Sequence, residues 1–408
     1  GAAMALKARL LLFEASKLVN PSNDAAKWRA AAEAAGALIE KEAQAGYDLF
    51  GDYRKLFLPA NEHSCECVFN IEFSKTKNTA VNSFNVYSVQ YRNNAPLLDL
   101  VMDYRTTTDG AATMGKYDNL DPRFAATNFY PGSTFLGKAN CPAGEVCQFT
   151  GFAHKKLSIY DTQKRDSDDG NGETNYMFIR YADVLLMFAE ADNRLNGGPT
   201  DEAKLALQRI RERAFGTSQA EWIAGVSGSE ADFLKAVQEE RRLEFVGEMI
   251  RKQDLIRWNL LKTNMDKVKQ DMYDLRTLSG GYADVPAYVF WKYKSNAAGE
   301  REIVWYGLNR GETAPGTEGQ QITDQAALDA WMKAGGWRNW NPSGNAAPAP
   351  ATPSLWITSS ASSGYLSDAY IEAQYHTDPD RRLDMPLPSS VIMNSQGHLN
   401  NASLGYNN

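Results

Sequence analysis

No run in this 408-residue chain approaches the roughly 18 consecutive apolar residues that a membrane-spanning helix requires. Histidine is scarce, with four residues at positions 63, 154, 376 and 398. No Ser-His-Asp order, His-Glu-x-x-His motif or phosphate-cradling glycine loop stands out, so nothing nominates a hydrolase or a nucleotide enzyme. Basic residues do not dominate either. Lys and Arg number 43 against 50 Asp and Glu, and the two signs are interspersed without a basic stripe. That argues against nucleic acid as a partner.

Cysteine is also sparse, with four residues: Cys65, Cys67, Cys141 and Cys147. Cys141 and Cys147 flank a Pro142-Ala143-Gly144 turn that can bring them within bonding distance. Cys65 and Cys67 would point the same way on a strand, which makes their direct pairing awkward. His63 joins them as a third soft zinc ligand, but no second ligand pair follows at a recognised spacing. The acidic stretch from Asp166 to Gly172 resembles a calcium loop at a glance. No register combines its acid ladder, a glycine at the sixth position and a closing Glu, so a solvated loop is expected. No metal site and no cofactor is expected.

Helical patterning is plentiful. An Ala/Leu-rich helix over 2–19 is broken by Asn20-Pro21-Ser22-Asn23, and a second runs from about Asp24 to Gln44 before Gly46. Their alanines permit close antiparallel packing. The stretch 175–259 is the most organised. Tyr181, Val184, Leu185, Phe188 and Leu195 fall at helical spacing, and Gly197-Gly198-Pro199 stops that helix. Thr200 caps the next, whose narrower face runs through Ala203, Leu207, Ile210 and Ala214 to a stop at Gly216. A third opens at Ser229, with Asp232 completing a capping box. Pairs over 1–46, 178–215 and 230–258 suggest tetratricopeptide-like units, although the strict 34-residue tandem period is absent.

The third of these helices carries an anomaly. Phe233, Val237, Glu240 and Glu244 share one face, so two carboxylates lie in an apolar stripe. Two readings compete. A general acid/base couple would have one pKa raised by the other. A structural network would have cations hold both carboxylates ionised. Arg241, Arg242, Arg251 and Arg257 are nearby in sequence, with Arg180 a candidate in space, and this supply favours the structural reading.

The segments around 175–259 have a different texture. From Tyr47 to about Tyr160 the chain is short mixed segments, with strand-like alternation over 67–73 and loops holding Tyr87, Tyr91, Tyr104, Tyr117, Phe129, Tyr130 and Phe135. After Trp258, runs at 285–293 and 301–306 read as a β-hairpin, and a short helix spans 324–333. Six of the nine tryptophans cluster here, at 291, 305, 331, 337, 340 and 356. Hairpin positions 291 and 305 read as core. In Trp337-Arg338-Asn339-Trp340-Asn341, aromatic rings and polar groups alternate within five residues. A pyranose stacks its C–H face on such rings and leaves hydroxyls for the polar groups; the competing reading is that the rings are buried anchors.

Three ordered stretches also resemble a family signature: Ile179 to Ala191, Glu240 to Phe245 and Arg251 to Trp258. Asp121-Pro122-Arg123 lies upstream, and Met385-Pro386-Leu387-Pro388-Ser389 with Leu404-Gly405-Tyr406-Asn407 lies near the end. Together these residues resemble the SusD/RagB proteins. The resemblance implies a non-catalytic surface lipoprotein of Bacteroidetes that captures glycans or peptides for a SusC-like TonB-dependent outer-membrane transporter. It further implies a mostly α fold over 1–408, with tetratricopeptide-like helix pairs as scaffold and a loop-rich segment and short β-hairpins packed on one side. Members carry a lipid-modified N-terminus and more helical sequence upstream. Gly1 to Leu10 already reads as helix interior, so the expectation is a single domain lacking its N-terminal part and anchor, and native to the extracellular face of the outer membrane.

The family's contact residues vary with ligand, and none transfers by motif. From the residues themselves, the expected oligosaccharide or polysaccharide site comprises Trp337, Arg338, Trp340, Tyr104 and Tyr130. Peptide capture is the rival within the family. Outside it, a carboxylate-pair glycosidase requires two accessible carboxyls about 5–9.5 Å apart in one cleft. A helical-repeat adaptor requires a bare concave helical surface.

Overall fold

The structure, a computed structural model, describes residues 1–74, 80–81, 95–104, 120–138, 150–161, 171–172, 174–283, 288–295, 301–308, 325–339 and 366–375. Alanine decides how its first two helices meet. Helix α1 (Ala2–Ala15) buries Ala5, Ala8, Leu12 and Ala15, and α2 (Ala25–Ile39) buries Trp28, Ala31, Ala32, Ala35 and Leu38. Side chains this small let two helix axes approach closely. Helix α1 ends four residues earlier than expected because Ser16 turns extended and its hydroxyl donates back to Leu12 O. The helix expected over 24–44 is divided in two. An i→i−3 bond from Lys41 N to Leu38 O tightens the chain after α2, and a single turn, α3 (Glu42–Ala45), follows before Gly46 at φ 73°.

Strand β1 (Cys67–Ile71) forms where alternation suggested it. Short elements then follow: β2 (Ala80–Val81), α4 (Leu98–Asp103), α5 (Arg123–Thr127), β3 (Asn128–Phe129), β4 (Ala153–His154) and β5 (Asn171–Gly172). Residues Tyr176–Arg180, expected as the start of a long helix, form strand β6 instead and pair antiparallel with β1. Two aromatics and an isoleucine within five residues suit a pleated strand, and Phe69 packs edge-on to Phe178 across the pair.

Helix α6 (Tyr181–Asn196) is the central element. It touches α1, α2, α7 (Asp201–Phe215) and α9 (Glu230–Glu244), and is buried along most of its circumference. Its stop at Gly197 (φ 67°) and the stop of α7 at Gly216 (φ 68°) are the expected left-handed caps. Thr200 Oγ1 accepts from Ala203 N, and Ser229 Oγ accepts from Asp232 N, so both expected N-caps form. Helix α8 (Ala220–Val226) bridges α7 and α9; α10 (Arg251–Arg257) and α11 (Leu261–Thr277) complete the helical run.

Two apolar clusters result. The first unites α1, α2 and α6–α9 through Leu12, Trp28, Leu185, Leu207 and Phe233. The second gathers Leu98, Tyr104, Phe124, Phe152, Leu243 and Trp291. It is roofed by the three-stranded sheet β8–β7–β9, made from β7 (Tyr288–Ser295), β8 (Arg301–Leu308) and β9 (Arg338–Asn339). Helix α12 (Gln325–Gly335) leads into β9, and α13 (Asp368–Tyr375) packs on α11. The molecule is therefore mostly α, a scaffold of helix pairs with loop-rich segments and short strands laid against it.

Candidate ligand-binding site

The aromatic residues of the C-terminal region are placed by register and by a helix stop. Antiparallel pairing sets Trp291 opposite Trp305 on β8 and opposite Arg338 on β9. Strand alternation sends Phe290 and Trp291 to opposite faces of β7. Helix α12 ends at Gly336 in the left-handed region (φ 67°), and Trp337 N donates back to Met332 O. This closure folds the Trp337 indole onto Trp331, with ring centroids 5.6 Å apart and planes 9° from parallel. A Cβ at Gly335 would collide with the Trp337 ring, so only glycine fits there.

Trp331 in turn meets Phe290 edge-on at 5.2 Å. Lys292 Nζ lies 4.3 Å from the Trp337 centroid and donates to Gly335 O. Arg338 is exposed, with its guanidinium 5.2 Å from the Trp291 ring. The result is a half-buried tryptophan pair anchored on the Phe290 face of β7 with the Lys292 ammonium over the Trp337 ring, while Arg338 lies over Trp291 on the opposite face of the sheet. Trp291 is buried as expected of a core position.

The other expected contacts are placed differently. Tyr104 is wholly buried, its hydroxyl shared with Thr127 Oγ1 and Leu243 O, so it presents no ring face to a ligand. It is a core residue, because α4 packs it edge-on to Phe124. Tyr130 is half-buried and lies 5.1 Å from the Phe124 ring. Trp340 and Trp356, Tyr87, Tyr91 and Tyr117, Cys141 and Cys147, residues 166–170 and the motifs after 385 lie outside the described residues.

Glu240 and Glu244 are 1% and 0% exposed. Arg123 Nη1 donates to both, at 2.6 and 2.8 Å. Arg211 completes Glu240; Arg180 and Arg213 complete Glu244. Arg180 also binds Glu66 and Glu248, and Lys156 Nζ binds Glu248 and Glu244 O. Burial alone would raise the Glu244 pKa. Arg213, Arg180 and Arg123 outweigh it and hold the carboxyl well below the ordinary range. A carboxylate so fixed, with no solvent or substrate access, cannot serve as acid, base or nucleophile. Among the arginines expected as partners only Arg180 is one; Arg241 holds Asp183 and Asp254, Arg242 holds Asp99, and Arg257 holds Glu190.

Segments 50–57, 121–124 and 154–158 cross this face of α9, with Tyr53 donating to Glu244 O, so the helical surface there is covered rather than bare. Cys65 and Cys67 are free thiols, and Cys67 Sγ donates to Asn70 Oδ1. Among the described residues no cluster of three His, Cys, Asp or Glu side chains is arranged to hold a metal ion.

The sequence profile of the SusD family matches residues 65–306. Two SusD-like proteins of Formosa agariphila are similar to the chain. One is 29% identical over 283 residues, 60% of this chain and 52% of that protein. The other is 31% identical over 165 residues, 40% of this chain and 33% of that protein. The chain thus spans about half the length of these relatives or less. Among solved structures, a SusD homologue from Bacteroides thetaiotaomicron superposes with TM-score 0.52 at 22% identity, covering 69% of this chain and 56% of that one. A SusD-like carbohydrate-binding protein from Bacteroides fragilis gives TM-score 0.52 at 19% identity over 76% of this chain and 60% of that one. At those identities the superpositions speak for the fold alone. A profile match over more than half of the chain, joined to that fold, shows that the chain belongs to the SusD/RagB family.

Proposed function

We propose that the chain captures oligosaccharide or polysaccharide at the extracellular face of the outer membrane, as a lipid-anchored protein, and passes it uncleaved to a SusC-like TonB-dependent transporter. The observation that carries the glycan reading is the half-buried Trp331–Trp337 stack with Lys292 against it. Trp337 supplies a ring for a pyranose C–H face and Lys292 a donor beside it; Arg338, on the opposite face of the sheet, is proposed as a contact to hydroxyls or a uronate carboxylate further along the chain of sugars. Trp340, two residues on in sequence, and Tyr130 are further proposed contacts. Family membership supports the transporter partnership and the surface location. No helix among the described residues is long and apolar enough to cross a membrane, in keeping with a lipid anchor. The sealing of Glu240 and Glu244 supports capture without cleavage.

Aromatic contacts contribute about 0.5–1.5 kcal/mol each beyond the area they bury, so affinity for one short chain is modest and grows with the number of sugars engaged. The test is retardation on a panel of polysaccharide-containing native gels, with released reducing ends assayed in the same samples. Retardation by one glycan class, lost in Trp337→Ala/Trp340→Ala and weakened in Arg338→Ala, is the expected result. Retardation that survives the double substitution would move the site. Binding of peptides with none of glycans would replace the ligand class, and release of sugar would overturn the non-enzymatic reading.

A further inference from the structure

A partly open cavity of about 730 Å³ lies between α4, the 154–158 segment, the turn after α9, and the α10–α11 corner. It shares no lining residue with the Trp331–Trp337 stack. Its wall is mainly aliphatic, with Leu97, Leu100, Leu157, Val246, Met265 and Val268. A sugar would leave its hydroxyls unmatched against such a surface, whereas methylene groups suit it. Met249 stands at the rim, 62% exposed, and is held at φ 59°, a strained conformation for a residue with a side chain.

Among the charged groups of the lining, the adjacent Arg251 and Lys252 have no carboxylate at ion-pair distance among the described residues. Lys156 is matched by Glu248, and Arg242 by Asp99 and Asp103. Arg251 makes one hydrogen bond among the described residues, to the backbone carbonyl of Gln238 at 3.3 Å. Burial, and then the neighbouring Arg242, bring its pKa down to about 10 against the weaker, longer-range attraction of Asp254 and Asp103.

We infer that this cavity binds a small amphipathic anion, a carboxylate on an aliphatic body, with Arg251 as its counter-charge. Arg251 and the exposed Lys252 supply positive charge at the lining, and the apolar wall favours a carboxylate on an aliphatic body over a phosphate, which brings little apolar surface. The inference stands apart from the glycan reading and does not depend on it.

Calorimetric titration with decanoate, decanol and maltohexaose tests it. Decanoate should bind once per chain, decanol at least about tenfold more weakly, and maltohexaose not at this site. Arg251→Gln should weaken decanoate about tenfold or more and leave decanol unchanged. Met265→Trp, which fills the cavity from a half-buried position, should abolish binding of both. Near-UV circular dichroism verifies that each variant is folded, and glycan retardation should be unaltered in both. Absence of decanoate binding by the folded parent at millimolar concentration would overturn the inference. So would equal binding by Arg251→Gln, or binding that survives Met265→Trp.

Discussion

At the scale of single residues, Arg180 shows how this interior tolerates charge. Its guanidinium donates to Glu66, Glu244 and Glu248 and to the backbone carbonyl of Glu244, and it lies 4.4 Å from the Phe245 ring. Removing one member of a buried pair leaves the other desolvated and unmatched, which costs about 3–5 kcal/mol. Arg180→Met should therefore lose that much stability in urea titrations, whereas a surface pair such as Lys262–Asp266 should contribute about 0–1 kcal/mol. The same residues set the acid limb of stability. Burial raises the pKa of Glu244 and Asp183, but Arg213, Arg180 and Arg123 for the first, and Arg9 and Arg241 for the second, depress both below their ordinary values of 4.5 and 3.8. The unfolded chain then takes up protons first as pH falls. The contribution is complete above about pH 5 and declines as pH drops through 4.5 toward the folded values. Denaturation midpoints between pH 3 and 7 should fall steeply below 4.5. Glu244→Gln should start lower and show a shallower fall; an unchanged slope would remove Glu244 from the account. That two carboxylates in an apolar stripe must be structural was legible in the sequence. Of their partners only Arg180 was: Arg123 lies more than a hundred residues away, and the adjacent Arg241 and Arg242 point to other acids.

At the scale of elements, local chemistry decided what could be foreseen. Caps, stops and helical faces depend on residues within one or two turns, and Thr200, Ser229, Gly197 and Gly216 act as their types require. Strand β6 was missed because its pairing partner β1 is about a hundred residues upstream, and strand-favouring residues that run straight into a helix carry no sign of that partner. Thr200 does more than cap. Its hydroxyl donates to Asp192 Oδ1 while accepting from Ala203 N, tying the end of α6 to the start of α7. Thr200→Ala should cost about 1 kcal/mol, and Thr200→Ser, which keeps both bonds, only a few tenths, by chemical denaturation. The alanine seam between α1 and α2 should be equally sensitive to size. Ala35 has no exposed surface, and a Cβ added at the adjacent Gly36 would come within 3.4 Å of the Phe188 ring of α6. Ala35→Leu should lose about 1–3 kcal/mol by overpacking; a gain would show that the seam holds unfilled space.

At the scale of the molecule, α9 joins two apolar clusters that the sequence kept apart. It contributes Phe233, Ala236 and Val237 to the helical scaffold and Leu243 to the cluster beneath the β7 sheet, with Glu240 and Glu244 between them. The sequence showed a helical half and a loop-rich half but not this seam, because a seam is a property of tertiary contacts. Arg123 is its main tie. It leaves α5 in the loop-rich half, is oriented by Asp121, and grips both glutamates of α9. If the tie couples the halves, Arg123→Met should uncouple them without unfolding the scaffold, whose own apolar contacts on α6 are untouched. Native-state hydrogen exchange distinguishes the outcomes. Amides in 98–104, 123–129 and 152–157 should exchange about a hundredfold faster or more, matching a loss of about 3–5 kcal/mol confined to that half, while α6 amides keep their protection. A rise of equal size in α6 would show that the two clusters open as one unit, and that apolar burial around Leu243, not the ion network, holds them together.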